Sequence, residues 1–343
     1  MTVTYRIKNT FLPTGFAEKL IFETLDMYRR GEDLTNSPVA EWGRKTLEKK
    51  GWWYGCEEAE NKEECITQRL QKIVNLYHSI KENGYNGSLI SVFFNKKIGS
   101  IHTYDGFHRL CILKYLGIVT LLNVGISQHD PNPACRGDFP LVETLIQLNN
   151  GKNLYQPVDD ERVKDFHVWR KDSSKRLKYV LKNIVGKSVL DFGCCEGYFS
   201  RELAKRGYSV TAVDVDSRRV AVARYLSIIN NLEVNFQVAK WENYLQQETH
   251  FDNILFLSVF HHNILAVGVD NAFKLLCRFK NKARQVFFEA PISAGKISWT
   301  SKNKKDLYDF TLDEFKAKIE KETEMKIKDT WHGKRYIFLL EAT

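Results

Sequence analysis

The chain of 343 residues lacks several features that mark membrane, secreted and zinc-binding proteins. No long apolar run is present, and residues 1–6 lack the apolar segment of a secretory signal, so we expect neither a membrane span nor export. The seven cysteines are odd in number and irregularly spaced, without the paired CxxC motifs of common zinc sites. These absences favour a cytoplasmic protein that holds no metal ion.

The composition is that of a globular protein large enough for two domains. Charged residues make up 27% and hydrophobic residues 43% of the chain. A net charge of +9 favours anionic partners, among them phosphorylated sugars, nucleotide-linked substrates and nucleic acid. Much of the positive charge lies in the runs 296–305 and 316–328, which we interpret as solvated, so nucleic acid is not favoured. The sequence carries no signal of oligomeric state.

Residues 187–214 are the most informative segment. A strand, a glycine turn, a helix and a second strand follow in order, over 187–190, 191–197, 198–207 and 208–213. Such a βαβ unit is typical of nucleotide-binding folds. Gly193 and Gly197 allow the backbone to approach a ligand closely, and Asp214, at the end of the second strand, is placed to bind ribose hydroxyls.

The glycine spacing in this turn indicates the ligand. The order D-x-G-x-x-x-G from Asp191 differs from the dinucleotide pattern G-x-G-x-x-G. Together with Gly197-Tyr198-Phe199-Ser200 and the predicted strand end at 257–262, it resembles motif I and its surroundings in the class I S-adenosylmethionine (SAM) methyltransferases. The resemblance covers roughly 165–343 and implies a Rossmann-like α/β sheet with helices on both faces, and SAM as cofactor. The alternative is a Rossmann-like domain that binds another nucleotide or none.

The resemblance also implies a cofactor site. Its predicted members are Asp191, Gly193, Gly197, Asp214, Trp241 and Ser258. Asp191 would orient the turn or meet the amino group of SAM through water, while Asp214 accepts both ribose hydroxyls. Many members have Asp after the third strand, where this chain has Ala239-Lys240-Trp241, so we predict that Trp241 stacks on the adenine ring.

The acceptor side of the site is predicted after the fourth strand. His261 and His262 are the candidate catalytic bases, because a histidine titrates near neutral pH and can take the proton of a hydroxyl acceptor. The chain has no Asn/Asp-Pro-Pro-Tyr/Phe signature of amino methylation and no Pro-Cys nucleophile there. Cys194 and Cys195 are interpreted as packing residues. These features favour O-methylation.

A Trp-Arg-x-Asp segment begins at Trp169. It resembles a segment of the methyltransferase-like enzymes that modify wobble uridine in tRNA, where it helps to close the cofactor pocket. The resemblance implies that Trp169 and Arg170 close the site, with Arg170 meeting a carboxylate or phosphate. The alternative is a packed tryptophan and a surface arginine.

The first half of the chain has its own pattern. A helix, two strands joined as a hairpin, the motif Asp105-Gly106-Phe107-His108-Arg109, a helix and a strand follow one another over 65–126. This order resembles the ParB/sulfiredoxin-like fold and implies phosphate binding by Asp105, Gly106, His108 and Arg109 at a helix N-terminus. Alternatively, Asp105 and His108 cap the helix while Arg109 pairs with a surface acid.

These patterns predict a two-domain enzyme. A ParB/sulfiredoxin-like α+β domain with a helical extension covers 1–130, a linker 131–160 and the methyltransferase domain 161–343. We expect methyl transfer to a small-molecule or glycan acceptor that carries phosphate. The alternatives are an RNA methyltransferase, a binding protein with SAM as effector, and a phosphotransferase whose carboxylate beside Arg109 is Glu63 or Glu64.

Overall fold

The computed structural model describes residues 4–9, 12, 14, 17–95, 100–126, 140–247, 249–290, 296–297 and 310–342. The chain forms two compact units, Met1–Phe139 and Pro140–Thr343. Most of the predicted proline-rich loop at 128–140 and of the lysine run at 296–305 lies outside the described residues. Among the described helices, none is both long and apolar enough to cross a membrane.

The first unit combines a small sheet with four helices. The helices are α1 (Ala17–Arg29), α2 (Pro38–Lys50), α3 (Lys62–Asn83) and α4 (Phe107–Tyr115), and the strands are β1 (Thr4–Lys8), β2 (Ile90–Asn95), β3 (Ser100–Asp105) and β4 (Leu121–Ile126). The strand order is β1-β4-β2-β3. From α3 to β4 the elements follow the predicted order, whereas β1 adds a strand, antiparallel to β4, to an extension predicted as helical.

A disulfide joins Cys56, in the loop after α2, to Cys65, in the first turn of α3. The irregular cysteine spacing gave no sign of this pair. Disulfides persist in oxidising compartments, so this bond argues against the reducing cytoplasm that the cysteine count favoured. Cellular location therefore stays a prediction.

The second unit is built on a large twisted sheet. Its helices are α5 (Leu141–Leu148), α6 (Ser173–Asn183), α7 (Tyr198–Ala204), α8 (Ser217–Ile229), α9 (Trp241–Tyr244), α10 (Phe260–Val267), α11 (Val269–Leu275) and α12 (Leu312–Thr323). Its strands are β5 (Asn153–Leu154), β6 (His167–Val168), β7 (Ser188–Phe192), β8 (Ser209–Asp214), β9 (Val234–Val238), β10 (Phe251–Phe256), β11 (Ala283–Ala290), β12 (Lys296–Ile297), β13 (Phe310–Thr311), β14 (Met325–His332) and β15 (Tyr336–Ala342).

The seven-stranded sheet has the order β14-β15-β11-β10-β7-β8-β9. Strands β9, β8, β7, β10 and β11 run parallel, and β15 lies antiparallel to β11. The chain winds one way from β7 to β9 and returns to the other side of β7 with β10, so the strand order reverses between β7 and β10. Ligands of open α/β sheets bind at such a reversal, beyond the carboxyl ends of the strands.

Two apolar cores cover the two faces of this sheet, as predicted for a Rossmann-like fold. One core joins the sheet to α10, α11 and α12 through residues such as Phe260, Phe273 and Phe315. The other joins it to α6, α7 and α8 through residues such as Leu177 and Leu203. Consecutive buried residues, 189–192 in β7 and 253–256 in β10, fit strands that are covered on both faces.

The predicted linker differs from the structure. Residues from Pro140 onward belong to the second unit, and α5 packs against α8. The side chain of Asn149, just after α5, donates to Glu196 Oε1 at 3.4 Å. The apolar face of α5, with Leu141 and Leu145 fully covered, explains why this segment packs rather than spans a gap.

Candidate active site

The glycine turn lies where β7 ends at the strand reversal. Gly193 and Gly197 both have left-handed backbone conformations, with φ of 65° and 76°. A Cβ on Gly193 would lie 2.5 Å from Cγ2 of Val259, so only glycine fits there. The backbone N–H of Gly193 donates to the carbonyl of Val213 at 2.8 Å, which fixes the turn against β8.

Asp214 ends β8 and faces the turn. Its Oδ2 accepts a hydrogen bond from the N–H of Cys195 at 2.9 Å, and its Oδ1 accepts one from the N–H of Asp216 at 2.9 Å. Each carboxylate oxygen can accept a second bond, so two acceptor positions stay available for the two hydroxyls of a ribose. Burial raises the pKa of Asp214 above its usual value.

The structure does not support the predicted stacking of Trp241 on adenine. Trp241 is 6% exposed, stacks on Phe279, and donates from Nε1 to Asn263 at 3.1 Å. Its side chain therefore belongs to the apolar core. The exposed apolar residues beside Asp214 are instead Val215, 65% exposed, and Val238, which pairs with Asp214 across β8 and β9. The signal that sequence reasoning missed was Val215, the apolar residue directly after Asp214, which is the acid predicted to bind ribose.

Asp191 lies deep beneath the turn, at the end of β7. Its Oδ2 accepts a hydrogen bond from Ser200 Oγ at 2.5 Å, which ties the strand to α7. Burial raises the pKa of Asp191 to about 7, against the opposing effect of Ser200. The ionised form of such a buried carboxyl group is stabilised when a positive charge lies close to it.

The two candidate histidines differ in environment. His261 is buried, and burial together with His262 and Arg335 lowers its pKa to about 3. His262 is exposed in the first turn of α10. Although part of the ring is open to solvent, the protein atoms packed around it and then the charge of Arg335 lower the pKa of His262, while Asp214 opposes that shift. At neutral pH both rings are neutral, which is the form that accepts a proton, and His262 is the one open to an acceptor.

Arg170, predicted to meet a carboxylate or phosphate in the substrate site, contacts two carboxylates of the chain itself. Its Nε and Nη2 donate to Asp172 at 3.0 and 3.2 Å, and Nη2 also donates to Glu289 at 2.8 Å. Nη1 donates to Ser258 Oγ at 3.0 Å. Ser258, predicted to bind the cofactor, thus has its hydroxyl engaged by Arg170 and Glu289. Trp169 is 63% exposed and free to cover a ligand.

Two further acids belong to this region, of which sequence reasoning missed Glu196. Glu289 is fully buried and also accepts from Arg176. Burial opposes its ionisation, but the charges of Arg176 and Arg170 outweigh burial and lower its pKa. Glu196, inside the glycine turn, is buried and paired with Arg219 of α8. In both cases the acid stands within an otherwise apolar stretch of sequence, a pattern that indicates a buried and paired carboxylate.

The D-G-x-H-R motif of the first unit forms a turn into α4. Gly106 has φ of 83° and precedes α4, and Arg109 Nη2 pairs with Asp105 Oδ2 at 3.1 Å. His108 packs against Tyr54, and burial followed by the charge of Arg69 lowers its pKa to about 4. His108 is therefore neutral at pH 7 and offers an anion a hydrogen bond rather than a charge.

Among the described residues, no hydrogen bond or ion pair joins Arg109 to Glu63 or Glu64, the carboxylates proposed for a phosphotransferase. Glu63 is bound by Arg44, whose Nη2 lies 2.7 Å from Glu63 Oε2. The N–H of Glu64 bonds to the Asn61 cap at the start of α3. The acid that pairs with Arg109 is Asp105 from the same motif.

Comparison with known proteins supports the prediction that the second unit is a methyltransferase domain. Residues 189–286 match the model of a methyltransferase domain family. The chain is 29% identical over 140 residues to the O-antigen chain terminator bifunctional methyltransferase/kinase WbdD of Escherichia coli, which covers 38% of this chain and 20% of WbdD. It is 34% identical over 88 residues to the ubiquinone biosynthesis O-methyltransferase of Pasteurella multocida (strain Pm70), covering 25% of this chain and 36% of that enzyme. The matches thus span well under half of either relative.

Some solved structures align with part of the chain. A 2.2 Å crystal structure of WbdD aligns with a TM-score of 0.45 and 21% identity, over 58% of this chain and 46% of that chain. Magnesium protoporphyrin IX methyltransferase from Synechocystis PCC 6803 with bound SAM aligns with a TM-score of 0.37 and 18% identity, over 49% and 76%. The matched segment, 189–286, is a methyltransferase domain, and SAM is the cofactor of such domains. The glycine turn, Asp214 and the apolar Val215 fit that cofactor.

Replacing Asp214 with Ala should weaken binding of S-adenosylhomocysteine about 10- to 100-fold, because charged hydrogen bonds contribute about 1.5–3 kcal/mol. Isothermal titration calorimetry measures the affinity. Asp216→Ala is the matched control, since Asp216 caps α8 through the N–H of Arg218 and should affect helix stability rather than affinity. Equal losses in both variants, or none in Asp214→Ala, would contradict the ribose-binding role.

Replacing Asp191 with Asn should change how stability depends on pH. The pKa of Asp191 is raised from 3.8 to about 7 in the fold, so its favourable contribution is complete below pH 3.8 and is lost as pH rises through about 7. Between these values the free energy of unfolding of the wild type should fall relative to Asp191→Asn by on the order of 1 kcal/mol per pH unit. Urea unfolding over that pH range measures the difference, and parallel curves would disprove the shift.

Proposed function

We propose that the chain is a SAM-dependent methyltransferase that methylates a hydroxyl group of a small-molecule or glycan acceptor carrying phosphate. The observation that carries this proposal is the position of His262. It is an exposed histidine in the first turn of α10, which follows β10, and the carboxyl ends of the parallel strands β10 and β8, where Asp214 lies, are at the same edge of the sheet. We propose that His262 is the general base and that Asp214, at the same edge of the sheet, binds the cofactor ribose.

The chemistry follows from this placement. SAM supplies a methyl group on a sulfonium that is already activated, so the protein has to position the acceptor and remove a proton. The unprotonated ring nitrogen of His262 accepts the hydroxyl proton as the oxygen forms its bond to the methyl carbon. Trp169, exposed near Arg170, covers the acceptor from water.

An anionic acceptor fits the charge of this region. Burial lowers the pKa of both histidines, and the positive charge of Arg335 acts in the same direction. Its buried Nη1 has no hydrogen-bond partner among the described residues. A buried guanidinium nitrogen in that state gains a bond when a phosphate or carboxylate approaches. The names of two relatives, an O-antigen chain terminator methyltransferase/kinase and an O-methyltransferase, agree with a hydroxyl of a glycan or small molecule.

The first unit is proposed to be a ParB/sulfiredoxin-like domain that binds phosphate or a nucleotide. The support is the glycine turn at Gly106, the N-terminus of α4 and the side chain of Arg109. RNA methylation is the less favoured alternative, because its support is limited to the net charge and the Trp-Arg-x-Asp segment. Steep salt dependence of RNA binding would favour it.

Replacing His262 with Ala should lower kcat by about 10²- to 10⁴-fold, which is the usual contribution of a general base. Transfer of a tritiated methyl group from SAM to sugar phosphates and phosphorylated glycans measures this loss. His250→Ala is the matched control, because His250 is exposed and precedes β10, at the opposite end of that strand. An unchanged kcat in His262→Ala, with wild-type turnover established, would rule out its role as base.

Replacing Arg109 with Ala should abolish the heat of binding of CTP or ATP to the first unit in the full chain, because the variant removes the cation beside the α4 N-terminus. Titration calorimetry measures binding. Arg30→Ala is the control, since Arg30 is an exposed arginine of the same unit paired with Glu32. Nucleotide binding that survives in Arg109→Ala would place the phosphate site elsewhere.

A further inference from the structure

Ser258 has an unusual backbone conformation at the edge of the proposed site. It follows β10 with φ of +63°, in the left-handed region that a residue with a Cβ seldom adopts. Such strain persists only where surrounding contacts hold it, and it is found most often at functional sites. The contacts of Ser258 therefore show what holds this conformation.

The hydroxyl of Ser258 is held from two sides. Oγ donates to Glu289 Oε2 at 2.7 Å and accepts from Arg170 Nη1 at 3.0 Å. Ser258 is 8% exposed and Glu289 is fully buried, so water does not compete effectively for these bonds. Both the donor and the acceptor capacity of the hydroxyl are used, and its orientation is fixed.

Glu289 is itself immobilised by arginines. Oε1 accepts from Arg170, and Oε2 accepts from Arg176 as well as from Ser258. Arg170 in turn donates hydrogen bonds from two nitrogens, Nε and Nη2, to the carboxylate of Asp172. Two positive and two negative side chains thus form a neutral buried cluster, which we call the Glu289 cluster, made of Arg170, Asp172, Arg176 and Glu289.

The residues after Ser258 connect the Glu289 cluster to the glycine turn and to His262, the proposed base. Val259 lies against Gly193 of the cofactor turn so closely that a Cβ there would be 2.5 Å from its Cγ2. Helix α10 begins at the next residue, Phe260, and carries His262 in its first turn. The conformation of Ser258 therefore sets the direction of α10 relative to the turn that binds the cofactor.

We propose that Glu289 is a positioning residue for methyl transfer, which acts through Ser258 to hold Val259 against the cofactor turn and to aim His262 at the acceptor. This inference rests on the proposed function. Glu289 touches neither substrate nor cofactor in this role. Its effect reaches the reaction only through the strained serine, so the serine is where the role can be tested without disturbing buried charges.

The test compares two substitutions at Ser258. Glu289→Gln would leave two buried arginines facing one carboxylate and is expected to unfold the unit, so it is a poor test. Ser258→Ala removes both hydrogen bonds and keeps a Cβ that disfavours positive φ, whereas Ser258→Gly removes the same bonds but adopts positive φ freely. Ser227→Ala is the matched control, because the buried hydroxyl of Ser227 has no partner within the described part of the chain.

We expect Ser258→Ala to lower kcat about 100-fold, as misplacement of a catalytic group does. The affinity for S-adenosylhomocysteine should change by less than about threefold, because the loss lies in the reacting state. Ser258→Gly should keep about tenfold more activity than Ser258→Ala, since glycine restores the backbone conformation. Equal losses in the two variants, or wild-type kcat in Ser258→Ala, would overturn the proposal.

A second readout needs no acceptor. Amide hydrogen exchange over Phe260–Val267 should be about tenfold faster in Ser258→Ala than in wild type and unchanged in Ser227→Ala. Unchanged exchange in α10 would overturn the positioning role. If the wild type neither binds S-adenosylhomocysteine nor transfers methyl groups, the proposed function fails, and this exchange measurement still decides whether the cluster holds α10.

Discussion

The Glu289 cluster is the interaction on which the geometry of the second unit's site depends. It joins the segment before the sheet, through Arg170 and Asp172, to α6, through Arg176, and to the carboxyl end of β11. Buried ion pairs add little net stability, but losing one partner costs about 3–5 kcal/mol because a bare charge remains. The cluster therefore holds together segments that are far apart in sequence, and it does so through specific ion pairs. It also occupies Arg170, whose donors are then unavailable to a ligand.

The carboxyl groups near the cofactor turn divide into two kinds. Glu289 has two arginines beside it, and its pKa is lowered in spite of burial. Within the described part of the chain no arginine contacts Asp191 or Asp214, and burial raises the pKa of both. SAM brings a positive sulfonium and an ammonium group, so its binding supplies the charge that these two acids lack. Burial disfavours the ionised form of Asp191, and for the same reason it favours a ligand that carries a positive charge.

The βαβ unit, the glycine turn and the position of Asp214 were predictable, because each depends on local pattern and on glycine conformations that tolerate no side chain. The partners of Arg170 were not, since Glu289 lies 119 residues further along the chain and only the fold brings them together. Trp241 was misassigned because its short helix α9 turns the indole into the core beside Phe279. The Cys56–Cys65 disulfide likewise depends on how the loop after α2 returns to α3.

Charge also links the acceptor to the proposed base. Burial and then the positive charge of Arg335 lower the pKa of His262, so its ring is neutral at pH 7 and able to accept a proton. A phosphate or carboxylate of the acceptor that pairs with Arg335 would offset this positive charge and add negative charge of its own. Both effects raise the basicity of His262 only when the acceptor is in place. An acceptor that carries an anionic group would therefore strengthen the base that removes its hydroxyl proton, whereas a neutral acceptor would leave the base weak. This coupling is the physical reason to favour a phosphorylated glycan or sugar over an uncharged alcohol.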